Sequence, residues 1–82
     1  MSSKTDILEP NVRALIAKIT KLPLDQVSAT SSMDSSASWT SLAQLSVLAA
    51  LEQEYELEID PEQGVDLISI ESICSFLESE LG

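Results

Sequence analysis

Three stretches of this chain place apolar residues three and four positions apart, and that period is the strongest constraint on its fold. In the first stretch Leu8, Val12, Leu15, Ile16 and Ile19 step by four, three, one and three. In the second, Leu42, Leu45, Leu48, Leu51 and Tyr55 step by three and four. In the third, Ile70, Ile73, Cys74, Leu77 and Leu81 do the same. Such steps put side chains on one face of an α-helix, and an apolar face must be covered by another element. With 82 residues, one thin core has to serve the whole chain, which makes it a single domain. Trp39, Tyr55 and Phe76 are the only aromatics. The interior is therefore aliphatic, which suits helix packing better than a β-sandwich.

The boundaries follow from local chemistry. Met1 to Lys4 is a polar, frayed start. Pro10 fits the first turn of a helix and not its interior, so two starts remain open: near Glu9, or a Thr5-capped turn ahead of it. Leu22-Pro23 ends the first helix. Residues 22–38 form one long loop with Leu22, Leu24, Val27 and Met33 as candidate pins, and Leu24 to Val27 as a possible single turn. Ser31 to Ser38 reads as low-complexity linker, too short to separate domains. The second helix spans about Thr40 to Tyr55, with Thr40 or Ser38 as its cap. Glu54 to Asp60 alternates polar and apolar like a strand but has no partner segment. An extended connector with Leu57 and Ile59 turned inward is expected instead. Pro61 to Leu67 makes a short third helix or turn, Ser69 caps the last helix, and Gly82 closes the chain. The expected fold is all-α: a small four-helix bundle over residues 1–82, with a long loop between helices 1 and 2 and a short third helix.

Charge and residue types narrow the function. The net charge is −10; Lys4, Arg13, Lys18 and Lys21 are the only bases, and eleven acids with no base lie between Asp34 and Gly82. Nucleic acid and anionic membranes are not expected partners, because no basic patch could hold phosphate. A basic protein surface is the natural complement, with plain solubility as the alternative use of the charge. The chain has no histidine, and its one cysteine, Cys74, sits on an apolar helical face. Intrinsic catalysis, an internal disulfide and a zinc site are therefore not expected. The acids from Glu52 to Glu62 lack the ligand spacing and turn glycine of a calcium loop, so no metal is expected. No secretory signal or membrane-spanning run is visible, and the expected location is cytoplasmic.

Against these absences stands Ser41. It falls in the first turn of the second helix, where free N–H groups and the helix dipole favour an attached anion, such as a phosphate ester. The plainer reading makes Ser41 one part of a Ser/Thr-rich cap. A serine at a helix start, beneath a long loop on an acidic bundle, is also the arrangement of a tethering site.

At this point the chain resembles an acyl carrier protein, a phosphopantetheine-binding carrier domain. That family opens its second helix with Asp-Ser-Leu, followed by spaced apolar residues and a Leu-Glu-x-Glu-aromatic run. Here these are Thr40-Ser41-Leu42, then Leu45 and Leu48, then Leu51-Glu52-Gln53-Glu54-Tyr55. The register continues through Ile59, Leu67, Ile70, Ile73, Phe76 and Leu77. The resemblance implies a 4'-phosphopantetheine arm on Ser41, added from coenzyme A by a phosphopantetheinyl transferase. The arm would carry an acyl or aminoacyl group as a thioester between loading and transferring enzymes. It implies partner contacts at Trp39, Thr40 and Leu42, with Glu52 and Glu56 meeting basic docking surfaces, and flexibility between helices to shelter a chain. A monomer is expected.

Thr40 replaces the usual aspartate, and Ala43 and Ser46 stand where acids are common in the family. Trp39 resembles the aromatic of some specialised stand-alone carriers and is alternatively a core or loop anchor. These departures point to a specialised biosynthetic pathway. The rival function is an unmodified acidic interaction module built on the same helix.

Overall fold

The computed structural model describes residues 4–28 and 30–81, with side chains from residue 7 onward. Four helices form in the expected order: α1, Lys4–Thr20; α2, Ser41–Tyr55; α3, Pro61–Asp66; and α4, Ile70–Leu81. A single 3₁₀ turn, Leu24–Gln26, lies in the loop after α1. The chain is thus all-α, with a long first loop and a six-residue third helix.

The start of α1 differs from both expected starts. Lys4 and Thr5 are already helical, and the helix runs unbroken through Pro10; the rest of the frayed start, Met1 to Ser3, lies outside the described residues, as does Gly82. Pro10 lacks the N–H that would reach back one turn. The helix tolerates this because burial anchors both sides of the proline, with Leu8 and Val12 in the core. The Asn11 side-chain amide also donates to the Ile7 carbonyl at 3.3 Å. At the other end Lys21 takes the left-handed conformation, φ 62°. The Leu22 N–H then returns to the Ala17 carbonyl at 3.1 Å, closing the helix as glycine more often does.

Val12 and Ile16 of α1, Val47 and Leu51 of α2, and Ile70, Ile73 and Leu77 of α4 form the centre of the core, closed by Val27, Trp39 and Leu67. Helix packing is concentrated where α1 meets α4 and α2. Cys74 is buried among these residues, as its helical face implied, whereas Leu81, assigned to the same face, is exposed at the last turn.

The phase of α2 is the main correction. The expected stripe of Leu42, Leu45, Leu48, Leu51 and Tyr55 is not the inner face. Leu42 is 76% and Leu45 66% exposed. The buried residues are Gln44, Val47 and Leu51, with Leu48 and Tyr55 packed at the margin. The helix SLAQLSVLAALEQEY carries apolar residues all round, so two phases fit the same period. Packing on α1 selects the one that includes Gln44.

The long loop is built, not slack. The expected pins Val27, Leu22 and Met33 pack on the core, but Leu24 is exposed. Residues 31–38, read as linker, are instead hydrogen-bonded turns. Ser28 N–H donates to Ser31 Oγ at 2.9 Å, and Ser36 N–H to the Ser32 carbonyl at 3.0 Å. An antiparallel bridge pairs Ser32 with Ser69, with Met33 N–H on the Ile68 carbonyl at 2.8 Å and Ile70 N–H on the Ser31 carbonyl at 3.0 Å. The serines satisfy the backbone locally, which lets irregular chain lie against a small core. After α2, Glu56 adopts φ 52°, ψ 52° and ends the helix. Leu57 and Ile59 are half-buried on an irregular connector, as expected.

Candidate functional site

The start of α2 is where the turn chemistry, the helix end and the loop converge. Thr40 is extended, φ −88°, ψ 173°. Its Oγ1 accepts the Ala43 N–H at 3.1 Å, and its carbonyl accepts the Gln44 N–H at 2.8 Å. The cap therefore belongs to Thr40, and neither Ser38 nor Ser41 is needed for it. Ser41 is the first helical residue, and its side chain is exposed. Among the described residues its hydroxyl has no hydrogen-bond partner, and the N–H groups of Ser41 and Leu42 have no acceptor. An exposed hydroxyl beside two unsatisfied donors at the positive end of a 15-residue helix fits an attached phosphodiester. The neighbouring Leu42 projects into solvent, leaving the approach open.

Trp39, expected among the partner contacts, is corrected by its burial. It is 2% exposed and is the anchor that the alternative reading described. Its Nε1–H donates to Gln44 Oε1 at 2.7 Å. The Gln44 amide nitrogen in turn donates to the Leu67 carbonyl at 2.7 Å, with the Gly64 carbonyl at 3.5 Å. This chain of bonds ties the residue two before Ser41 to the far end of α3. A second tie is steric: a Cβ built on Gly64 would lie 2.7 Å from Leu48 Cδ1, so glycine lets α3 approach α2 this closely. Asp60 N–H donates to Gln63 Oε1 at 3.0 Å and fixes the start of α3.

Of the other expected contacts, Thr40 and Leu42 flank Ser41 at the surface. Glu52 is half-buried, and its Oε2 accepts the Ile59 N–H at 3.1 Å; it supports the connector as well as presenting charge. Glu56 is exposed where α2 ends. These two acids lie about 16–23 Å along the axis from Ser41, at about 1.5 Å per residue. The structure thus does not bring them to the serine, and the first turn of α2 holds no acid at all.

Gln44, Gly64, Val65 and Ile68 were not singled out by the periodicity. Val65 is 71% and Ile68 37% exposed, and they flank the residues whose carbonyls bond Gln44. With Leu42 and Leu45 they give this end of the molecule an apolar surface. The only available signal was the excess of apolar residues over what one helix face can bury.

Elsewhere, a groove between α1 and the end of α2 is lined by Leu15, Lys18, Ile19, Ala50 and Tyr55. A smaller hollow at α4 is lined by Glu9, Glu71, Cys74 and Glu78; neither includes Ser41. Burial pushes the Cys74 thiol up, reinforced by Glu9 and Glu78, the opposite of the lowered thiol of a reactive cysteine. Among the described residues no helix is long and apolar enough to cross a membrane.

A comparison with curated proteins finds none that matches. A family model described as "Phosphopantetheine attachment site" matches residues 11–77, from the second turn of α1 to the core leucine of α4, with the start of α2 inside it. The chain therefore belongs to the phosphopantetheine-attachment family, and it is a carrier domain built for a covalently attached 4'-phosphopantetheine.

Proposed function

We propose that Ser41 is the attachment residue and that this domain carries an acyl or aminoacyl group to partner enzymes without catalysing a reaction of its own. The observation that carries the reading is the division of labour at the helix start. Thr40 makes the cap, and the Ser41 hydroxyl is left exposed and unbonded. When bound, the arm supplies a terminal thiol on which cargo is held as a thioester. The chain presents the Ser41 hydroxyl and offers the N–H groups of Ser41 and Leu42 to the phosphodiester. It has no histidine, and no acid in the first turn of α2. The base that removes the Ser41 proton during modification must come from the phosphopantetheinyl transferase.

The same surface describes the partners. Leu42 and Leu45 on the first turns of α2, and Val65 and Ile68 beside the carbonyls that Gln44 bonds, leave exposed apolar side chains on this side of the molecule. Glu56, Glu58, Asp60 and Glu62 are exposed beyond the end of α2. Partners that fit have an apolar rim at the arm's entry and, for Glu56, a basic patch about 22 Å away along α2 at about 1.5 Å per residue. Loading and transferring enzymes of a specialised biosynthetic pathway, in the cytoplasm, are the proposed class. Mutual repulsion of chains with net charge −10 favours a monomer.

Intact mass after incubation with coenzyme A and a broad-specificity transferase tests the reading. The expected result is a gain of one phosphopantetheine that Ser41→Ala abolishes while the helical signal is kept. The uncharged Thr40 favours one rival, an unmodified interaction module. That module is the better reading if protein from its native host carries no arm and still binds partners in a manner that Leu42→Glu disrupts.

A further inference from the structure

Gln44 is the one polar side chain buried on α2, and every hydrogen-bonding atom of its amide group is used. Its Oε1 takes the indole N–H of Trp39 at 2.7 Å, and its Nε2 gives to Leu67 O at 2.7 Å and toward Gly64 O at 3.5 Å. An apolar residue of similar size would fill the position, as Val47 and Leu51 do on the same face. A buried amide bonded on both sides is justified by what it fixes: its geometry is directional, whereas apolar contact is not. What it fixes is specific. On one side is the residue that leads into the Thr40 cap, which sets the first turn of α2. On the other is the C-terminal end of α3. Among the described residues the element pairs that pack most extensively all involve α1, so α3 is placed by few ties: this amide, the Gly64–Leu48 contact, the buried Leu67 at its end and the hydrogen bonds of Ile59 and Ile68 that flank it.

We propose that Gln44 is a positioning residue for the attachment serine, holding Trp39 and the end of α3 to the first turn of α2 so that Ser41 is presented in one orientation to the modifying enzyme. The proposal rests on the reading that Ser41 is the attachment residue. Among the described residues the Ser41 hydroxyl has no hydrogen-bond partner that would orient it directly. Its placement is inherited from the Trp39–Thr40 backbone on one side and from the helix on the other, and Gln44 bonds to the first from within the second. A second consequence is coupling. A partner that presses on Val65 or Ile68 moves the carbonyls that Gln44 holds, and through Gln44 it reaches Trp39 and the serine.

The test compares transferase kinetics on the full-length protein, wild type against Gln44→Leu and Gln44→Glu, with helical content and the emission of Trp39, the only tryptophan, read alongside. Gln44→Leu removes both bonds while leaving the exposed docking residues untouched. We expect kcat for loading to fall about tenfold or more with KM within about twofold, since misplacing a reacting atom by an ångström is enough for such a loss. Gln44→Glu gives the graded control. Ionised, it can accept from Trp39 but cannot donate to Leu67; protonated, it can do both. Its kcat relative to wild type at the same pH should therefore rise as pH is lowered from about 9 to about 6, in step with a return of Trp39 emission toward wild type. A helical Gln44→Leu that loads with wild-type kcat overturns the proposal. So does a Gln44→Glu ratio that stays flat across a pH range in which the Trp39 emission of that variant changes, which decides the matter if the leucine variant fails to fold. Absence of any mass gain in the wild type, or a gain that survives Ser41→Ala, overturns instead the reading of Ser41 on which the proposal rests.

Discussion

Trp39 can be tested as a core residue by perturbing its indole N–H and its partner separately and together. Trp39→Phe keeps a large aromatic in a site that is 2% exposed but removes the donor that Gln44 Oε1 accepts at 2.7 Å. A buried acceptor left unpaired costs about 1–3 kcal/mol, and the smaller ring leaves a cavity worth about 1 kcal/mol more. The sum, about 2–4 kcal/mol, is a large share of the ~4–12 kcal/mol expected for a domain of this length. It corresponds to a fall in Tm of roughly 8–32 °C at about 4–8 °C per kcal/mol. Gln44→Leu should cost a similar amount, because it orphans the Trp39 N–H and the Leu67 carbonyl. Combined, the two changes remove both ends of one bond, so their costs should not add. The double variant should be more stable than the sum of the singles predicts by about 1–2 kcal/mol. Urea unfolding followed by helical circular dichroism gives all four stabilities. Additivity within about 0.3 kcal/mol would refute the bond as a coupled pair, and a Trp39→Phe variant of wild-type stability that loses partner binding would restore Trp39 to the docking surface.

The other elements make separate commitments. Thr40→Ala removes the side chain that accepts the Ala43 N–H and should lower stability by about 1 kcal/mol in thermal unfolding. Lys21 holds φ 62°, so Lys21→Gly should relieve left-handed strain and raise stability by about 0.5–1 kcal/mol. The buried Cys74 thiol is pushed up, first by burial and then by Glu9 and Glu78. The unfolded chain therefore loses this proton at lower pH than the folded one. The contribution to stability is complete below the ordinary thiol range and should decline as pH rises through and above it, a slope that Cys74→Ala should reduce in pH-dependent unfolding. Leu45→Glu, at a side chain 66% exposed, should leave stability within about 0.5 kcal/mol. In surface-binding measurements with the transferase it should speed dissociation, whereas reversing Glu56 and Glu58 should slow salt-dependent association.

The sequence made the helices legible because their apolar steps and punctuation agree. Ser69 caps α4, Leu22-Pro23 follows α1, and Pro61 opens α3. The proposal of Ser41 as the attachment residue rests in the sequence on the Ser-Leu pair and the register downstream. The sequence misled on the facing of α2, because Leu42 and Leu45 match the helical period as well as Val47 and Leu51 do; burial depends on where α1 lies, which is not a property of α2 alone. Gln44 was invisible for the same reason. A glutamine in a helix is ordinarily a surface residue, and only the arrival of Trp39 from one side and Leu67 from the other makes burial tolerable. Pro10 misled in a different way, since the rule against proline inside a helix weighs one missing bond and omits the anchoring of Leu8 and Val12.

These corrections separate two jobs that periodicity had merged. The seams of α1 with α4 and α2 hold apolar residues that are almost wholly buried, and they carry the stability. The start of α2 and all of α3 are fastened by fewer elements, with Trp39 and Leu67 in the core and otherwise a threonine cap, one buried amide and a glycine contact, and they leave Leu42, Leu45, Val65 and Ile68 in solvent. Directional polar contacts hold a shape but contribute little net stability, so this side of the molecule should open and exchange its amide protons before the α1–α4 seam does. A carrier needs that distribution. Its attachment residue must be presented in a defined way, yet the surface around it must yield to several partners in turn, and only a body whose stability lies elsewhere can allow both.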